Sequence, residues 1–132
     1  MSIGIVGLGM VGQPLSRYFE SQGYVRGQTL LCFDRDPEKG FQDSLESAHI
    51  IFVCVPTPKG KNGECDTSIV ESVVAQYAKK DNVIVIKSTV TPGTTERLAR
   101  TYHANILFNP EFLTESRAWE DFIHPDRQIV GF

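Results

Sequence analysis

Ser2-Ile3-Gly4-Ile5-Val6-Gly7-Leu8-Gly9-Met10-Val11-Gly12 is the stretch that decides the fold. An apolar run of strand length leads directly into three glycines. Beyond them Val11, Leu15, Tyr18 and Phe19 recur on one helical face, Pro14 sits in the opening turn where its missing N–H is no loss, and Gly23 supplies a stop. Strand, turn and helix with glycine at 7, 9 and 12 is the arrangement that brings backbone against a pyrophosphate. The first glycine permits the tight turn, the second admits the phosphates, and the third lets helix and strand pack closely. A helix opening near Met10 would point free N–H groups and its positive dipole end at the anion.

Working outward, apolar runs of strand length recur at residues 3–6, 30–33, 50–55, 83–87, 106–108 and 128–132. Most are continuously apolar, as strands covered on both faces must be. Between them lie helical patterns. Ser68 with Glu71 reads as a capping box, followed by a stripe of Ile69, Val70, Val73, Val74, Tyr77 and Ala78 closed by Lys79-Lys80. A further helix is expected from near Pro92 to His103, and Trp119 is expected to pack a last helix onto the sheet. The fold predicted is α/β, a Rossmann-type doubly wound parallel sheet of six strands with helices on both faces. One crossover is thin. Between Asp34 and His49 only a short helix over 41–47 fits, near the minimum of about a dozen residues that a parallel crossover needs.

Composition narrows the function classes. At 132 residues the chain reads as one dinucleotide-binding domain over 1–132. A net charge of −3 gives no basic surface for nucleic acid, and no apolar run approaches the ~20 residues of a membrane span. The start shows no basic region with a cleavage site, so a cytoplasmic location is expected. Cys32, Cys54 and Cys65 form no metal-ligand spacing, so no metal is expected, and their odd number argues against a disulfide framework. Cys32 and Cys54 fall in apolar runs as small buried hydrophobes, whereas Cys65 lies in a polar loop. His49 and His103 flank strands, and His124 before Pro125 is read as a loop-packing residue, with a place near the substrate edge as the alternative.

Asp34 ends the second strand, where a carboxylate accepts hydrogen bonds from both adenosine ribose hydroxyls and repels a 2′-phosphate. NAD is therefore the expected cofactor, although the adjacent Arg35 could accommodate a 2′-phosphate or stack on adenine. Ser88 and Thr89 offer hydroxyls beside the expected nicotinamide position, and Glu111 offers a carboxylate on a loop pinned by Pro110. Each has a plainer explanation. Thr91 with Pro92 could simply cap a helix, and Glu111 could be a first-turn acid.

Three segments set the chain apart: Val55-Pro56-Thr57-Pro58, then Lys87-Ser88-Thr89-Val90-Thr91-Pro92-Gly93-Thr94-Thr95, then Asn109-Pro110-Glu111-Phe112-Leu113-Thr114-Glu115-Ser116, continuing through Ala118 and Asp121 to Pro125-Asp126-Arg127. In this order they resemble the N-terminal domain of the UDP-glucose/GDP-mannose dehydrogenase family over nearly the whole chain. Members oxidise the carbon-6 alcohol of a nucleotide sugar to a carboxylate and reduce two NAD per turnover. The resemblance implies active-site roles in water and proton handling for Thr89 and Glu111, and a place near the nicotinamide for Glu115. It implies that the Phe112-Leu113-Thr114 backbone lines the sugar-nucleotide site and that Val55-Pro56-Thr57 passes close to the cofactor.

The departures are equally informative. In the family a cysteine nucleophile, with lysine, asparagine and aspartate companions, lies in a later part of the chain, and none of the cysteines here matches it. The segment between the second and third strands is also cut down. The expectation is an NAD-binding domain without a substrate-binding C-terminal domain, inactive alone, and meeting its nucleotide sugar only if such a domain is supplied. Oligomeric state is left open. The alternatives are a non-catalytic NAD-sensing or partner-binding module, and a domain of a hydroxyacid dehydrogenase relative, whose chemistry would not need residues 109–116.

Overall fold

Apolar strands only four residues long can be buried on both sides only if the connections between them lie on both faces of the sheet, and the computed structural model, which describes residues 1–132, has that form. The strands are β1 (Ile3–Val6), β2 (Leu30–Phe33), β3 (Ile50–Val53), β4 (Val83–Ile86) and β5 (Asn105–Phe108). The helices are α1 (Gly12–Ser21), α2 (Ser68–Tyr77), α3 (Thr94–Tyr102) and α4 (Ala118–Ile123), with 3₁₀ turns at Pro37–Lys39 and Glu115–Arg117. All five strands are parallel, in the order β2-β1-β3-β4-β5.

Strand alternation divides the core in two. Ile3 and Ile5 of β1, with Leu30 and Cys32 of β2, join Leu15 of α1 on one face. Val6, Leu31, Ile51, Val53, Ile84 and Ile86 face the other way, onto Val70, Val73, Val74 and Tyr77 of α2 and Leu98 of α3. The chain thus switches faces around β1, and in open α/β sheets the ligand crevice opens at such a switch, beyond the carboxyl ends of the strands.

The sheet has five strands, not the six expected. Residues 128–132 return antiparallel and make one bridge, with Gly131 N–H to Phe108 O at 2.7 Å and Phe108 N–H to Gly131 O at 2.8 Å. A single residue pair closes the β5 edge without extending the ladder.

The thin crossover between β2 and β3 contains no helix at 41–47. Its residues serve two purposes that a helix could not combine. Phe41–Asp43 blunts the β2 edge: Asp34 N–H donates to Phe41 O (2.8 Å), Asp43 N–H to Cys32 O (3.0 Å) and Cys32 N–H to Asp43 Oδ2 (2.9 Å). Leu45, fully buried, then lies across β1 so tightly that a Cβ on Gly4 would stand 2.9 Å from its Cδ2. An apolar plug thus replaces the missing helix.

Smaller differences have local causes. Thr67, not Ser68, is the N-cap of α2; its hydroxyl donates to Glu71 Oε1 at 3.0 Å, while Asp66 Oδ1 accepts from Ser68 N–H at 2.9 Å. The helix stops at Tyr77 because Asn82 closes it, donating to Tyr77 O at 2.8 Å. Lys79 leaves the helix axis to donate to Glu46 O at 2.9 Å, fastening the β2–β3 connection. Trp119 packs beneath the Arg17 guanidinium of α1, 3.8 Å from the ring centroid, and Phe122 meets Tyr18 edge-on, so α4 docks on α1. No helix is long and apolar enough to cross a membrane.

Candidate functional site

A crevice of about 820 Å³ opens at the carboxyl ends of β1, β2, β3 and β4. The three glycines of the first turn play three different parts there. Gly7 has φ +90°, and a Cβ on it would stand 2.6 Å from the Cys54 carbonyl oxygen. A Cβ on Gly12 would fall 1.9 Å from the Gly7 carbonyl oxygen, so helix α1 sits directly on the turn. Gly9 has nothing within 4 Å of a Cβ position. Two glycines are therefore needed for packing, and the third leaves an open face in the crevice.

The helix behind this turn begins at Gly12, two residues later than expected, and no side chain caps it. The first internal bonds are Gln13 N–H to Gly9 O (3.1 Å) and Leu15 N–H to Val11 O (3.4 Å). No acidic residue occupies its first turn, so its positive end faces the crevice uncompensated. Met10 and Val11 line the opening.

Asp34 is 8% exposed and organises the end of the crevice beyond β2. Its Oδ2 accepts from Leu8 N–H at 2.7 Å and lies 3.1 Å from Lys39 Nζ, while Oδ1 accepts from Asp36 N–H at 2.9 Å. Burial works to raise its pKa. The hydrogen bonds from Asp36 and Leu8 and the Lys39 charge outweigh it, holding the carboxyl below its usual range. The Leu8 bond ties the glycine turn to β2, so Asp34 braces that turn as well as lining the crevice. Lys39 escaped the sequence reading. Its signal was a lysine closing the short turn begun by Asp36-Pro37, which returns its ammonium to Asp34. Arg35 lines the crevice beside it.

Val55, Pro56 and Thr57 form the wall after β3, and Ser88 and Thr89 the wall after β4. The Ser88 hydroxyl donates within the protein, to Val55 O at 2.7 Å and Val53 O at 3.2 Å, and so joins the two walls. Thr89 is exposed, and its carbonyl accepts the Cys65 thiol at 3.4 Å. Cys54 also lines the crevice, with burial pushing its thiol up to about 12; burial likewise raises Cys32. Neither is an activated nucleophile.

Past β5 the loop splits the expected residues between two places. Glu111 lines the crevice, and its Oε2 accepts from Leu113 N–H. Phe112, Leu113 and Thr114 instead line a second, polar cavity of about 580 Å³, together with Arg117, His124 and Arg127. Arg127 stacks on Phe112, 5.2 Å from its ring centroid. Glu115 reaches neither cavity. Thr114 N–H is held by Asp121 Oδ2 at 2.8 Å, and the chain turns into the 3₁₀ segment with Glu115 exposed to solvent. The second cavity meets the crevice at two side chains common to both, Lys87 and Glu111.

Comparisons with known proteins establish the family and the fold of the chain. The family model "UDP-glucose/GDP-mannose dehydrogenase family, NAD binding domain" matches residues 38–132. A Bacillus subtilis protein that carries the name "Putative UDP-glucose 6-dehydrogenase YtcA" is 31% identical across 99% of this chain, over 172 aligned positions. That span exceeds the 132 residues here, so YtcA holds segments that this chain lacks. The UDP-glucose 6-dehydrogenase of Rickettsia felis is 38% identical over 69% of the chain. The chain spans 39% of the length of the first and 22% of the second. Among solved structures, a UDP-D-ManNAc dehydrogenase from Pyrococcus horikoshii superposes with TM-score 0.82 and 23% identity, covering 99% of this chain and 41% of that one, and shares its fold. The chain belongs to the UDP-glucose/GDP-mannose dehydrogenase family, matching its NAD binding domain.

Proposed function

We propose that residues 1–132 are the dinucleotide-binding domain of a nucleotide-sugar 6-dehydrogenase and hold NAD along the crevice from Asp34 to Thr89. The observation that carries this reading is the division of labour among the glycines: Gly7 and Gly12 have no room for a side chain, while Gly9 faces open space before an uncapped helix. The pyrophosphate fits against Gly9, Met10 and Val11, and the adenosine ribose against Asp34, with Lys39 and Arg35 at its rim. Val55, Pro56 and Thr57 flank the middle of the cofactor, with Ser88 and Thr89 at its nicotinamide end. When bound, NAD supplies the hydride acceptor.

The chain's own part in the chemistry lies with Glu111 and Thr89, which line one crevice. Glu111 holds a carboxylate where a substrate proton can be taken, and the Thr89 hydroxyl can orient water or the reacting alcohol. The Phe112-Leu113-Thr114 segment lines the adjoining polar cavity, where the nucleotide sugar would meet it, although the Leu113 and Thr114 N–H groups are held by Glu111 and Asp121. Glu115 joins the site only if a ligand or a further domain draws the 3₁₀ turn inward. With burial keeping Cys32 and Cys54 protonated, covalent capture of an aldehyde falls to a substrate-binding C-terminal domain, and the chain alone is inactive. Its unpaired thiols suit a reducing compartment, the cytoplasm.

Calorimetric titration with NAD and NADP tests the reading. Micromolar-to-millimolar NAD binding, with NADP weaker because Asp34 is anionic, is the expected result. Absence of heat with either nucleotide would remove it. Equal binding of NADP would show that Lys39 and Arg35 neutralise Asp34 towards a 2′-phosphate. Rapid NADH formation from UDP-glucose by this chain alone would contradict the assignment of covalent chemistry to another domain.

A further inference from the structure

Lys87 is the most deeply placed cation of the molecule, 5% exposed at the end of β4. Its Nζ donates to Asn109 Oδ1 at 2.9 Å and to Asn109 O at 3.1 Å, both neutral acceptors. Asn109 in turn donates through Nδ2 to Ile129 O at 2.7 Å, so one hydrogen-bonded knot, buried at Lys87 and open to solvent at Ile129, joins β4, the loop after β5 and the returning C-terminal segment. None of the chain's ion pairs, Arg26–Asp43, Lys39–Asp34, Arg97–Glu71 and Arg100–Glu96, includes Lys87. A buried charge is normally paired, because desolvation without a counterion is costly. An ammonium also has three N–H groups, and the protein accepts two of them here.

The place of this cation gives the exception a purpose. Lys87 and Glu111 are the two side chains that line both the crevice and the polar cavity beside it. Ser88 and Thr89, its neighbours in sequence, line the stretch assigned to the nicotinamide. Glu111, the carboxylate on the same wall, is engaged by Leu113 N–H. Burial lowers the Lys87 pKa, while Cys54 and Glu111 act in the opposite direction.

We propose that Lys87 is an electrostatic positioning residue that biases the crevice towards the reduced dinucleotide. Oxidised nicotinamide carries a positive ring charge that hydride addition removes. A fixed cation in a low-dielectric wall therefore disfavours the oxidised ring relative to the reduced one, and so favours hydride acceptance. The Asn109 bonds hold the ammonium in place, so the bias is preorganised rather than induced. This inference rests on the cofactor reading above, but it concerns the balance between two redox forms rather than binding itself.

The test compares NAD, NADH and ADP-ribose binding to the wild-type chain, Lys87→Met and Lys87→Arg, with circular dichroism confirming the fold of each. ADP-ribose lacks the nicotinamide and reports the adenosine and pyrophosphate contacts alone. The expected result is a three- to tenfold fall in the NADH-to-NAD affinity ratio for Lys87→Met, with ADP-ribose affinity unchanged. Lys87→Arg, which keeps the charge, should hold the ratio within twofold. If Lys87→Met does not fold, Lys87→Gln takes its place under the same criterion. An unchanged ratio, or equal weakening of all three ligands, would overturn the proposal and leave NAD binding standing. Failure of the wild type to bind any of the three would remove the cofactor reading and this inference with it.

Discussion

Two glycines separate folding from binding in the first turn. Gly12→Ala places a methyl 1.9 Å from the Gly7 carbonyl oxygen, so it should shift the helix and lower stability measurably in urea melts. Gly9→Ala meets no protein atom and should change stability by about 0.5 kcal/mol or less, yet weaken NAD by tenfold or more. Equal loss of fold in both variants would show that Gly9 is also structural. Asp34 adds a pH signature. Its folded-state pKa lies below the unfolded value, so the ionised carboxyl stabilises the fold above the unfolded pKa of about 4, and that contribution is lost as pH falls through the folded pKa. Asp34→Asn should flatten the acid limb of a stability profile measured from pH 6 down to pH 2. Thiol chemistry gives a further check: brief native alkylation should label Cys65 and spare Cys32 and Cys54, as mass spectrometry would show.

At the scale of elements, strands and helices were legible wherever a period carried them. The apolar runs at 3–6 and 30–33 became strands with the same bounds, and the stripe from Ile69 to Tyr77 became the buried side of α2. What periodicity could not show was the β2–β3 connection, because Leu45 acts as a plug by three-dimensional placement rather than by repeat. The returning segment misled for a related reason. Ile129 and Val130 are apolar and strand-like, but both are largely exposed and only Gly131 pairs. The site divides in the same way. Local chemistry pointed to the glycines, Asp34 and Ser88, and the family resemblance to Val55; all of them line one crevice apart from Gly12. Lys39 and Lys87 were missed because each acquires meaning through a partner distant in space or hidden in a turn, and Glu115 was placed by the family motif alone. The plug makes a prediction of its own: Leu45→Ala should cost about 2–5 kcal/mol in denaturant unfolding, as expected for a buried leucine. A cost below about 1 kcal/mol would mean that the connection does not cover β1 as described.

For the whole molecule, a parallel sheet that changes faces around β1 places the turn of β1, the acid of β2 and the loops after β3 and β4 along one edge. The resulting crevice could host the two ends of a dinucleotide, while the polar cavity next to it meets the crevice at Lys87 and Glu111. The most direct examination of this arrangement is the amide footprint of NAD on the ¹⁵N-labelled chain by NMR. Saturable shifts at Gly9, Val11, Asp36, Thr57 and Thr89, with residues of α3 unmoved, are the predicted result. A footprint centred on α3, or an unchanged spectrum at millimolar NAD, would contradict it.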